Sequence, residues 1–137
     1  WTEAVKAVLL ENGSEGRGWY FDLRIDAERL MLRLLEGSVA LRSSLGQRPY
    51  GDQGLLIHRS LAEAAGGYNP LPLMEDLDLV QRITAISRMQ RIGCAITTSA
   101  RRWETRGVLH QAWRNALLRR DWARGEALDL LVRRYNS

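Results

Sequence analysis

Cysteine is almost missing from this chain. Cys94 is the only one, so no intrachain disulfide can form. Histidine is nearly as scarce, with His58 and His110 alone, and the two types together are too few for a Cys/His zinc site. A lone cysteine fits a reducing compartment. Long apolar runs are missing as well. The longest is Ala7–Leu10, against roughly 20 residues for a helix that spans a bilayer. The first residues lack a basic start followed by an apolar stretch, so no secretory leader is expected in them. The chain opens on Trp1 rather than methionine and is therefore expected to be a piece of something longer. Lysine is reduced to Lys6, so the net charge of +4 rests on arginine. Arginine forms rigid bidentate contacts with phosphate and carboxylate, which favours an anionic ligand. A coding bias explains the same imbalance equally well.

What is present suits one folded domain over residues 1–137. The length is that of a single domain, and 45% of the residues are hydrophobic, enough for a core. Trp1–Glu11 reads as a helix with Val5, Val8 and Leu9 on one face, stopped by Asn12-Gly13. Gly13–Gly18 is a glycine-rich turn without the spacing or the Lys-Ser/Thr ending of a phosphate loop. Trp19, Phe21, Leu23 and Ile25 alternate with Tyr20, Asp22 and Arg24, the pattern of a half-buried strand. Asp26 is placed to cap a long helix reaching about Ser44, with Leu30, Leu34, Leu41 and Leu45 on its apolar face. A loop over Gly46–Asp52 leads to a short strand at Gly54–Ile57. Ser60 and Glu63 have the spacing of a capping box for a short helix that Gly66-Gly67 ends. Pro72 leads into a helix from about Met74 to Ser87. Ile92–Thr98 reads as a strand, and helices are predicted over Gly107–Arg120 and Glu126–Tyr135. Strands interleaved with helices argue for an α/β layered domain.

Three segments could carry chemistry. In Pro72–Leu79, Glu75 and Asp76 open a helix whose expected buried stripe is Leu79, Val80, Ile83 and Ile86. Asp76 lies three and four residues before Leu79 and Val80, on the core side. Glu75 aligns with Asp78 and Arg82 on the solvated side. A carboxylate at the top of an apolar stripe is costly unless it has a partner or lines a cleft, which makes Asp76 a candidate general base. Acids in a first turn also complement the helix dipole. In Pro49–Gly54, Gly51 allows a close backbone approach, and Asp52 and Gln53 offer hydrogen bonds suited to sugar hydroxyls. A plain turn before a strand fits as well. In Thr97–Glu104, Arg101 and Arg102 could clamp a diphosphate while Trp103 offers a stacking face; a solvated basic loop is the alternative. Residues 101–137 hold nine arginines against four acids. That is an ordinary pair of surface helices or a basic face for an anionic membrane or nucleic acid.

Taken in order, Pro49–Gly54 (PYGDQG), Gly66–Tyr68 (GGY), Pro72–Asp76 (PLMED) and Thr98–Trp103 (TSARRW) resemble the C-terminal half of family 2 glycosyltransferases of the GT-A fold. The similarity is greatest to the bacterial subgroup labelled arsenosugar-type biosynthesis glycosyltransferases, and it extends over nearly the whole chain. It implies the C-terminal portion of a GT-A fold, a short mixed sheet flanked by helices. It implies an inverting transferase acting on a nucleotide-sugar donor and a hydroxyl acceptor, in the cytoplasm or at the inner face of the membrane, with no nucleic-acid partner. On this resemblance Asp76 is the catalytic base and Glu75 its neighbour. Gly51, Asp52 and Gln53 line the sugar and acceptor pocket, and Arg101, Arg102 and Trp103 approach the donor diphosphate. The upstream glutamine of the processive synthases is missing, which counts against a polymerase.

One departure stands out. The family's N-terminal half, which binds the nucleotide and ends in an Asp-x-Asp motif for Mg²⁺ or Mn²⁺, is not in these residues. The chain is thus expected to be the acceptor-side half, inactive alone, with no metal ligands of its own. The competing expectation is a non-catalytic binding module that uses the basic C-terminal helices.

Overall fold

The computed structural model describes residues 1–10, 16–26, 30–46, 49–100 and 107–136. The expected Asn12-Gly13 helix stop, Arg101, Arg102 and Trp103 lie outside them.

The scaffold is a three-stranded mixed sheet with helices on both faces. Its central strand, β1 (Gly18–Asp26), pairs antiparallel with β2 (Leu55–Ile57) and parallel with β3 (Met89–Ser99). The alternation in β1 is the expected one, but only its second half is half-buried. Trp19, Tyr20 and Phe21 are all buried, because helices cover both faces at that end. Successive side chains of a strand point to opposite faces, so Tyr20 and Leu23 belong to different cores. Tyr20 packs with Leu61, Ala65, Leu79, Ile83 and Met89. Leu23 and Ile25 pack with Leu32, Val39 and Ala100.

The first of these cores is closed by α3 (Arg59–Ala64) and α4 (Glu75–Ile86), and the second by α2 (Leu30–Gly46). A further helix, α1 (Thr2–Leu10), packs along β3. In β3, the ladder to β1 slips between Tyr20 and Asp22. The slip coincides with Gly93 at φ +77°, a conformation that glycine adopts without a Cβ clash. Across the bulge, Arg91 grips Asp22 through two hydrogen bonds of 2.7 and 2.8 Å.

Several local expectations are corrected. The Asp26 cap is not among them: Asp26 is the last residue of β1, and residues 27–29, between it and Leu30, lie outside the described set. The face of α2 is inverted. Leu30, Leu34, Leu41 and Leu45 are exposed, while Leu32, Val39 and Ser43 are buried. The cause is Glu36, whose carboxylate accepts the Ile25 N–H at 2.6 Å and both close contacts of Arg33. That anchor turns the charged side of α2 toward the end of β1. The α3 cap is His58 rather than Ser60. Its Nδ1 accepts the Ser60 N–H, and Glu63 pairs with Arg59 instead of closing a capping box. On α4, Ile86 is exposed and Leu77 takes the fourth buried position.

The chain closes with α5 (Val108–Ala123) and α6 (Leu128–Asn136), joined by a tight turn at Gly125, φ +79°. Leu118 and Leu131 are buried between elements. Asp121 accepts from Arg120 and from Arg134 at 3.0 Å each. Arg114 donates to the carbonyls of Arg134 and Tyr135 at the end of α6, where helix carbonyls lack intrahelical partners. Among the described residues, no helix is long and apolar enough to cross a membrane.

Candidate functional site

A cleft of about 240 Å³ opens where α4 begins. One wall is Leu73, Met74, Glu75, Asp76 and Leu77. The other is Asn115, Leu118 and Arg119 of α5 with Tyr135 of α6, and Tyr50 stands between them. Four chain segments therefore build one concavity, small enough for a single sugar ring rather than a drug-sized ligand, for which roughly 300–1,000 Å³ is usual.

Asp76 is fixed at this cleft by two backbone donors. Its Oδ2 accepts the Gly51 N–H at 2.7 Å, and its Oδ1 accepts the Leu77 N–H at 2.8 Å. Each carboxylate oxygen has two acceptor sites, so both retain one for a ligand. Glycine at position 51 is a packing requirement. A Cβ there would lie 2.7 Å from Asp76 Oδ2 and 3.1 Å from its Cβ. Met74, just before α4, holds φ +64°, a left-handed conformation costly for a side chain of this size. It turns the chain so that Glu75 and Asp76 begin the helix at the cleft edge. Glu75 is exposed there and makes no ion pair among the described residues.

Gly51–Gln53 form a 3-10 turn. Gln53 is 1% exposed. Its Oε1 accepts from Ser43 Oγ at 2.8 Å and from the Tyr50 N–H at 3.2 Å, and its Nε2 donates to the Phe21 carbonyl at 3.3 Å. A carboxamide so enclosed is a brace between α2, β1 and the turn. The pocket-lining position expected for Gln53 is corrected accordingly: the side chain points into the fold. Asp52 sits in the same turn, and its side chain is outside the described set. Gly51 and Asp76 are thus in contact, while the Asp52 side chain and Arg101, Arg102 and Trp103 lie beyond the described residues.

Sequence reasoning missed the opposite wall. Tyr50 lies against two guanidinium groups, with the carbon of Arg42 3.8 Å and that of Arg119 4.8 Å from the ring centre. Both are within cation–π range. Arg119 makes no ion pair among the described residues and faces the same cleft as Asp76. A second cavity, about 220 Å³ and lined in part by Leu23, Val39 and Arg42, shares Tyr50, Asn115 and Arg119 with the first. Tyr50 was within reach of the sequence, since it stands inside the PYGDQG segment. Arg119 carried no local signal, because its value comes from long-range packing.

Among the described residues, no three His, Cys, Asp or Glu side chains converge to hold a metal ion. No family model matches the chain, no curated protein matches it, and no solved structure matches it.

Proposed function

We propose that this cleft is the acceptor side of a family 2-like glycosyltransferase of the GT-A fold, with Asp76 as general base. The observation that supports the reading best is the 2.7 Å hydrogen bond from Gly51 to Asp76 across 25 residues. It joins two of the segments on which the family resemblance rests, and it does so at a concavity.

The acceptor hydroxyl enters beside Asp76. Its oxygen attacks the anomeric carbon of the donor as the bond from that carbon to the nucleoside diphosphate breaks. The hydroxyl proton passes to the Asp76 carboxylate, and the anomeric configuration inverts. Glu75, at the rim, accepts hydrogen bonds from acceptor hydroxyls, and by resemblance Asp52 has the same role. Arg119 supplies the cationic wall for whatever negative charge the substrates bring. Arg101, Arg102 and Trp103 belong on the donor diphosphate by resemblance. By the same resemblance, the metal would be held by the family's Asp-x-Asp motif, outside these residues.

In a chain that also carries a nucleotide-binding half, Asp76→Asn should lower turnover by at least about a hundredfold, the usual scale of a lost general base, while donor binding persists. Unchanged turnover would remove the base assignment. The binding-module alternative draws less support. Arg120 and Arg134 are paired with Asp121, and Arg134 also with Glu126, so two of the six arginines in residues 107–136 already have acidic partners.

A further inference from the structure

The outward face of α2 is the least expected surface of the molecule. Leu30, Leu34, Leu41 and Leu45 are 76, 62, 61 and 78% exposed. Between them lie only small residues. A Cβ on Gly37 would meet nothing within 4 Å. The hydroxyls of Ser38 and Ser44 donate to the carbonyls of Leu35 and Leu41 in their own helix, so neither brings an unsatisfied donor to the face. The charges of α2 point elsewhere. Arg33 and Glu36 bind each other and the end of β1, and Arg42 reaches Gln53 and Tyr50.

The spacing is that of a helix–helix seam. Leu30, Leu34, Gly37, Leu41 and Ser44 follow the alternating four-and-three pattern that keeps one stripe facing a partner helix. The stripe is also a palindrome about the Gly37–Ser38 bond: reversed, Leu30 falls on Leu45, Leu34 on Leu41 and Gly37 on Ser38. About a two-fold axis residue i meets the partner's residue j and j meets the partner's i, so the palindrome sets leucine on leucine and small residue on small residue along the whole stripe.

We propose that α2 is the contact helix of a symmetric dimer, lying antiparallel on α2 of a second copy. Leu34 then meets the partner's Leu41, and Leu30 meets the partner's Leu45. Gly37 and Ser38 occupy the crossing point, where small residues let two backbones approach toward the roughly 8 Å end of helix packing distances. With no charge in the seam, two identical faces do not repel each other. The stripe removes on the order of 500 Å² per subunit, about 1,000 Å² in total and below the roughly 1,200 Å² of stable interfaces, which is the size of a weak, concentration-dependent dimer. A lipid surface fits the face less well. Helices that lie on bilayers carry aromatic residues among their apolar positions, and the described residues of α2 include none.

Sedimentation of the 137-residue chain, and of a longer chain that also carries the nucleotide-binding half, should show a monomer–dimer equilibrium in both over micromolar to submillimolar concentration, whereas a dimer confined to the shorter chain would assign the α2 face to the nucleotide-binding half instead. Leu34→Glu should weaken it by more than about a hundredfold, because the charge enters the seam from both copies. A second measurement does not depend on that variant folding. In a Cys94→Ser background, Leu34→Cys together with Leu41→Cys should cross-link into dimers on mild oxidation, while Leu34→Cys alone should not. Three further results would overturn the proposal: a monomer at every concentration, a dimer indifferent to Leu34→Glu, or efficient cross-linking of Leu34→Cys alone, which would make the helices parallel. A monomer that binds neutral phosphatidylcholine vesicles through Leu34 and Leu41 would also overturn it, in favour of a lipid surface.

Discussion

The Gly51 N–H points at Asp76 Oδ2 from 2.7 Å, and a methyl group on Gly51 would reach within 2.7 Å of the same oxygen. The residue that donates the hydrogen bond is therefore also the residue that leaves room for it. Gly51→Ala should push the carboxylate off its backbone donor and lower stability by about 1–2 kcal/mol, the scale of a charge-assisted hydrogen bond at a partly exposed site. Asp76→Ala should cost a similar amount. The double variant should cost less than the sum of the two, because each single change removes the same contact. Urea titrations of the four proteins measure this coupling, and strict additivity would show that the contact contributes nothing.

Gln53 binds α2, β1 and the turn before β2 with one carboxamide. Gln53→Leu keeps much of the volume and removes every one of these bonds. The Ser43 hydroxyl, the Tyr50 N–H and the Phe21 carbonyl then lose a partner in a buried place. Since an unsatisfied buried polar group costs about 1–3 kcal/mol, the variant should lose roughly 2–4 kcal/mol in denaturant unfolding. Tyr50 should also loosen, visible as a change in its ring proton shifts. A loss under about 0.5 kcal/mol, the size of a neutral surface substitution, would contradict the bracing role.

How far these relationships were legible depended on their range. The β1 strand, the α4 helix and the core-side placement of Asp76 follow from spacing within a dozen residues, and the structure has them. The outward leucines of α2 do not. Periodicity offers two faces on that helix, and the choice between them is made by Glu36 reaching the Ile25 N–H, a contact with another element. His58 displaces Ser60 as the α3 cap for a similar reason: either side chain can reach a free N–H, and only the entry angle of the chain after β2 decides. Tyr50 was visible but undervalued, because its neighbours Arg42 and Arg119 come from different helices. The cleft is half local motif, which sequence exposes, and half tertiary wall, which it does not.

Tyr20 gives the fold an alkaline limit. Burial raises its phenol above the usual value, with Asp22 pushing the same way and Arg91 opposing. The folded state therefore holds the proton at a pH where the unfolded chain, with an ordinary phenol near about 10, has released it. Protons bound in the folded state then exceed those in the unfolded state, so stability falls as pH rises. The contribution is intact below the ordinary phenol value and is lost as pH climbs through the folded one. Unfolding midpoints measured from neutral pH upward should decline beyond about pH 10. Tyr20→Phe, which cannot ionise, should flatten that decline. An equal slope in both proteins would mean that another group sets the limit.

Arg119 faces the cleft without an ion pair among the described residues, steadied against the Tyr50 ring at 4.8 Å. If the cleft accepts a sugar, this guanidinium should reward a negative charge on it. Glucose 6-phosphate should then bind more tightly than glucose, with amide shifts at Gly51, Glu75 and Asp76 in an NMR titration marking the site. Arg119→Gln should weaken glucose 6-phosphate by about tenfold or more, as expected when a hydrogen bond to a charged group is lost, and should leave glucose unchanged. Tyr50→Leu should produce a smaller loss, because it removes the ring that steadies Arg119 but keeps the charge. Equal affinity for both sugars in the unaltered protein would show that the Arg119 wall does not read charge. Shifts confined to residues away from Gly51, Glu75 and Asp76 would place sugar binding outside the cleft and count against Asp76 as its base.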